Sequence, residues 1–178
     1  MAVFVLMESG GHGLSSLLGV DRPGGGDGIW FVPLFETTTE WQRYTMFSVA
    51  HILDWLNVHL LISPFGLPLI ILCLITGYRF PITLFDQPQD KDYAIFLGVI
   101  ATCYVLLTWL WNPDYGFQKD WDLFAPSAFV VTLLAGFLLV RVLPDRDRLK
   151  EGSLFVVTVA LLHTSSWIFT NTHPLPRD

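Results

Sequence analysis

Charge is what this sequence has least of. Only 15% of its 178 residues are Asp, Glu, Lys or Arg, where a soluble domain carries roughly a quarter. The deficit falls in four long apolar stretches, too apolar for the amphipathic core helices of a water-soluble domain. One polytopic membrane domain is the natural reading. Basic residues are scarcer than acidic ones, ten against sixteen, for a formal charge of −6. No basic patch with interleaved aromatics exists, so no nucleic-acid partner is expected. Cysteine is nearly absent. Cys73 and Cys103 both fall inside apolar runs, where small buried thiols are ordinary and say nothing of redox compartment. The apolar start, Met1 to Met7, lacks a basic leading region and runs into glycine, so it is not read as a signal peptide.

What is present begins with glycine. Residues 9–28 carry GGHGL and DRPGGGDG. Glycine at this density favours irregular backbone, and the run lacks the Gly-Lys-Ser/Thr ending of a phosphate-binding loop. Residues 1–40 are therefore read as a glycine-rich, irregular segment and 41–178 as the transmembrane domain. Within the first, IWFVPLF suits a membrane surface through Trp30 and Phe31. Thr37, Thr38 and Thr39 offer capping chemistry ahead of an amphipathic helix from about Trp41 to Ile62.

Four spans are expected at about 58–78, 93–111, 123–143 and 153–170. The first contains Pro64 and Pro68. Prolines are tolerated as kinks inside a membrane, so the run is taken as one span, with a hairpin and five shorter spans as the alternative. The fold class is all-α: an integral membrane bundle of about four transmembrane helices plus the amphipathic N-terminal helix. Trp109, Trp111 and Trp121 near span ends fit aromatic anchors. Six of the ten basic residues lie in the loops 79–92 and 141–152. The charge bias predicts that these loops are cytoplasmic, and that loop 112–122 and the C-terminus are extracytoplasmic.

The polar residues with chemical capacity then sort to the extracytoplasmic side. His51, Asp54 and Asn57 recur every three residues, placing them along one helix face. A carboxylate beside an apolar membrane face is costly unless paired or wet. Asp54 is therefore a structural clasp between helices, a contact for a substrate or lipid headgroup, or part of a catalytic or metal site, though His-x-x-Asp alone lacks the ligand count of a metal centre. Asp120 and Asp122 flank Trp121 at the mouth of the third span. They read as helix-start carboxylates, as a carboxylate pair for acid–base work, or as cation ligands. His59 and His163 sit in apolar runs. Hydrogen bonding between helices is the simple reading of each; ligation of a haem or a chlorophyll-type pigment is the alternative.

Three pieces in order, YTMFSVAHILDWLNVHLLISP, NPDYGFQKDWDLFAP and LLHTSSWIFTNTHPLPR, covering about Tyr44 to Arg177, resemble the C-terminal membrane half of large bacterial multi-spanning proteins. These look like relatives of type C glycosyltransferases, and some carry tetratricopeptide repeats after the membrane part. The resemblance implies a bacterial inner (plasma) membrane, an extracytoplasmic polar face and a lipid-phosphate sugar donor, with His51, Asp54, Asp120 and Asp122 lining the donor site. Such enzymes keep their key acidic residue in an early extracytoplasmic loop of a much longer chain, and nothing in Met1 to Glu40 matches that loop. The expectation is therefore a fragment, a truncated relative or a subunit without the catalytic half. It acts as a structural or accessory subunit among other membrane subunits, with a portion of a glycosyltransferase-like enzyme and a pigment-binding subunit as alternatives.

Overall fold

The computed structural model describes residues 5, 6, 9, 31–37, 42–79, 87–113, 116, 117, 120–143 and 145–172. Among them the named elements are all α-helices: α1 Val49–Ile62, α2 Gly66–Arg79, α3 Pro88–Leu110, α4 Trp121–Val142 and α5 Arg146–Thr172. The glycine-rich run of residues 10–28 lies outside the described residues.

Helices α3, α4 and α5 are each long enough to cross a bilayer, with mean hydropathies of 2.0, 2.3 and 1.5. Only 11%, 33% and 0% of their apolar windows are buried within the protein. Apolar helices left this bare in water would aggregate, so their solvent is lipid and the chain is a multi-pass membrane protein. Their ends are written locally. Pro88 opens α3, where a missing N–H costs nothing. Asp145 caps α5 by accepting from the Asp147 amide at 3.2 Å.

The expected first span, a single run over 58–78, is replaced by two helices that meet at 99° across Ser63–Phe65. Pro64 has no N–H to donate to the carbonyl of Leu60, so the α1 ladder stops there. The Ser63 amide still donates to the His59 carbonyl at 2.9 Å, and the Gly66 amide turns back to Ser63 at 3.2 Å. Pro68 falls in the first turn of α2, where its ring is harmless. The expected amphipathic helix also starts later than about Trp41. Its cap is Ser48, whose Oγ accepts from the His51 amide at 3.3 Å. Residues 42–48 remain irregular, and their amides bond elsewhere, Met46 to the Pro33 carbonyl at 2.7 Å.

The chain divides into two compact units. Unit 1 comprises Met1–Val58 and Val105–Phe124. Its core is mixed, with Val32, Tyr44, Met46, Val58, Phe117 and Phe124 buried alongside Gln42, His51, Thr108 and Asn112. Unit 2 comprises His59–Tyr104 and Ala125–Asp178. Its apolar core is made of smaller groups, Cys73, Ala101, Val131, Leu134, Ala135 and Leu138, and His59, Ser63 and Ser127 are buried as well. Inside it, Ser63 and Thr132 share a hydrogen bond at 2.8 Å, and Arg141 pairs with Asp90 at 2.6 Å.

Candidate functional site

A helix leaves its last carbonyls without internal donors. At the end of α3 two of these are met by distant parts of unit 1. The Val32 amide donates to the Leu110 carbonyl at 2.8 Å, beside an antiparallel bridge between Phe31 and Trp111. The His51 ring nitrogen Nε2 lies 3.0 Å from the Trp109 carbonyl. A carbonyl can only accept, so Nε2 carries the proton.

His51 is completely buried and sits in an aromatic box. Its ring centroid is 4.6 Å from Trp109, 5.0 Å from Tyr44 and 6.0 Å from Phe117. Phe117 packs in turn on Phe124 at 4.9 Å. A second tie runs from the Trp55 indole N–H to the Thr108 hydroxyl at 3.0 Å, and that hydroxyl donates to the Val105 carbonyl at 2.9 Å. Trp55 also meets Trp109 edge-on at 5.4 Å.

The other ring nitrogen of His51, Nδ1, is buried without a hydrogen-bond partner among the described residues. Nearby charge comes from Asp54, which acts electrostatically on both His51 and Tyr44. Burial pushes the Tyr44 phenol well above its ordinary range, and the Asp54 charge adds to this; the Arg43 guanidinium pulls the other way. Arg43 itself lies over the backbone of Gly116, whose φ of +90° suits glycine. A Cβ there would run into the guanidinium.

Of the residues singled out from the sequence, His51 and Asp54 come together and Asn57 does not. His51 is buried, Asp54 half-buried and Asn57 exposed. A step of three residues falls about 60° short of a full turn. Two such steps therefore swing Asn57 about 120° away from His51, and the expected single face is a spiral. Asp120 is half-buried immediately before α4, its amide bonded to the Gly116 carbonyl at 3.0 Å, while Asp122 is exposed in the first turn of α4. Both occupy positions where a carboxylate complements the helix dipole. His59 is buried in unit 2 and His163 is half-buried on α5. Among the described residues no three His, Cys, Asp or Glu side chains cluster as metal ligands. His173, Asp114 and Lys119 lie outside the described residues.

Sequence reasoning missed Tyr44 as a partner of Asp54. Tyr44 stands in irregular chain, where no periodicity relates it to α1. Trp109 was visible only as a membrane anchor, and its carbonyl, the atom that matters, has no sequence signature.

Unit 2 holds a separate feature. A cleft of about 380 Å3 lies between α2, α4 and α5, lined by Ile62–Gly66, Leu69, residues 132–139 of α4 and residues 153–164 of α5. Of its four hydroxyl-bearing lining residues, Ser63 and Thr132 are bonded to each other and Ser153 and Thr164 stand on α5; the rest of the lining is apolar.

Compared with protein-family models, curated proteins and solved structures, the chain matches none of them.

Proposed function

We propose that this chain is an accessory, non-catalytic subunit of a larger membrane assembly, anchored by its spans and docked through the irregular segments of unit 1. The observation that carries this reading is a bare apolar patch outside the spanning helices. Phe35 and Phe47 lie with their ring centroids 6.5 Å apart while remaining 81% and 63% exposed, with Leu34 also exposed. Apolar residues gathered on irregular chain are a mark of a protein contact or a membrane-surface contact. The enclosure of His51 supports the same reading, since a ring occupied with capping α3 serves architecture.

The test is purification from native membranes in mild detergent, with mass spectrometry of everything that co-elutes. A second membrane chain in fixed ratio is expected, and Phe35→Ser with Phe47→Ser should release it without loss of helix content. A lone monomer from native membranes overturns the proposal, and visible absorbance would favour the pigment-binding alternative through His59 or His163.

One observation favours a second reading, a portion of a glycosyltransferase-like enzyme. The unpartnered Nδ1 of His51 lies in the same cluster as Asp54 and Tyr44, and buried polar atoms without partners concentrate at reactive sites. On that reading Asp54→Asn abolishes transfer from a lipid-linked donor in native membranes; full transfer by the variant removes it.

A further inference from the structure

The unit 2 cleft is built for an apolar occupant. Its volume of about 380 Å3 sits at the low end of ligand pockets, which run from roughly 300 to 1,000 Å3. A flexible hydrocarbon chain can follow such an irregular apolar wall along its length. The walls come from small or branched side chains: Gly66, Ala135, Gly136, Val156, Val157 and Ala160.

The face of α5 that lines the cleft does not stop at its mouth. Ser153, Val157, Ala160 and Thr164 line it. Three residues back from Ser153 on the same helix stands Lys150, and four further back stands Arg146. Arg146 and Thr164 are about five turns apart at 3.6 residues per turn, so they share one face. Lys150 is about 4.5 Å and Arg146 about 10.5 Å along the axis from Ser153. The sequence of α5 is charged through Glu151 and apolar from Gly152 onward except for scattered hydroxyls, His163 and Asn171. The hydrocarbon edge therefore falls at the level where the cleft begins, and Arg146 and Lys150 stand at headgroup level.

The other charges near that level are partly paired, with Lys91 and Asp92 exposed at the start of α3. Arg141 is bonded to Asp90, and Arg148 pairs with Asp145 at 3.5 Å. Asp147 and Glu151 lie about 100° around the helix from Arg146 and Lys150. Arg146 and Lys150 are exposed and make no ion pair among the described residues.

We propose that the cleft between α2, α4 and α5 holds one hydrocarbon chain of an anionic phospholipid whose phosphate rests on Arg146 and Lys150. Charge sets the headgroup and the apolar walls take the chain. The lipid is a resident of the fold, wedged between α5 and its neighbours.

The test uses the full chain in mild detergent and native mass spectrometry with added dioleoylphosphatidylglycerol or dioleoylphosphatidylcholine. The wild type should retain one phosphatidylglycerol and little phosphatidylcholine. Each cation near a lipid headgroup contributes roughly fivefold, so Arg146→Gln with Lys150→Gln should weaken retention about twenty-five-fold. Ala160→Phe, which fills the cleft and leaves both cations in place, should abolish it; Ser153→Phe, at the mouth, does the same should the first variant not fold. Equal retention of the two lipids overturns the proposal, as does unchanged retention by the charge variant or by a folded cleft variant. Displacement of the lipid by inorganic phosphate at equal concentration would show a free-anion site and overturn it too.

Discussion

Unit 1 joins its segments through polar and aromatic side chains gathered round one buried histidine, whereas unit 2 joins its helices through one close backbone approach at Gly66, a shared hydroxyl pair and an ion pair. In unit 1 the Trp109 carbonyl is met by an imidazole, the Thr108 hydroxyl by an indole, and aromatic rings enclose one histidine. In unit 2 the corresponding device is Gly66. A Cβ built there would lie 2.5 Å from the Ser63 Oγ and 2.6 Å from the Val131 Cγ1. The contrast follows from solvent. Lipid tails are as apolar as leucine and give helices no hydrophobic reason to associate, so close backbone approach and a few shared hydroxyls must do it. Irregular chain at a helix end has the opposite need, because every exposed carbonyl there demands a donor.

The largest effect that can break this comparison is His51→Ala. It removes the donor to the Trp109 carbonyl, about 1–3 kcal/mol for a buried acceptor left bare, and opens a cavity among Tyr44, Trp109 and Phe117. A loss of about 3 kcal/mol in denaturant unfolding is expected, together with faster amide exchange at the end of α3. An unchanged unfolding midpoint would mean that the rings of unit 1 hold α3 without its cap.

Gly66→Ala tests the other side and is smaller because two effects oppose. Crowding against Val131 and the bonded Ser63 hydroxyl costs about 1–3 kcal/mol. Alanine recovers up to about 1 kcal/mol of helix propensity. A net loss of about 1–2 kcal/mol is expected. Gly98 and Gly136, where a Cβ meets nothing within 4 Å, provide the contrast: alanine there should be neutral or stabilising by up to ~1 kcal/mol. Equal responses at Gly66 and Gly98 would show that the bend at Ser63–Phe65 does not depend on close approach.

The membrane class and the helices α3 to α5 were legible because each rests on a local signal, apolar length; spacing along one helix brought Asp54 near His51, but the expected bond between them is replaced by one from Nε2 to the Trp109 carbonyl. The break at Pro64 was visible as a proline and not as a 99° turn. The sequence does not display the close approach of Gly66 to Val131 just beyond that break. The spread of His51, Asp54 and Asn57 follows from helix geometry alone, since a period of three is not 3.6. The box around His51 has no such local origin, because Tyr44 and Phe117 reach it from irregular chain. Orientation across the membrane rests on loop charge alone.

The smallest effect concerns the proton on Tyr44, and it sharpens the picture of unit 1 as closed to water. Its phenol is raised above the ordinary value, first by burial and then by Asp54. A group whose folded pKa exceeds its unfolded value near 10 contributes stability fully below that pH, and loses it as pH rises through the folded pKa. Tyr44 should therefore stay protonated while ordinary tyrosines ionise at about pH 9–11. In an absorbance titration at constant fold, Tyr44→Phe should leave the phenolate signal in that window unchanged, although it deletes one of five tyrosines. A clear drop in that signal would place Tyr44 in contact with water. His51 would then sit behind an open ring rather than a closed one, and the case for a reactive site in unit 1 would strengthen at the expense of the architectural one.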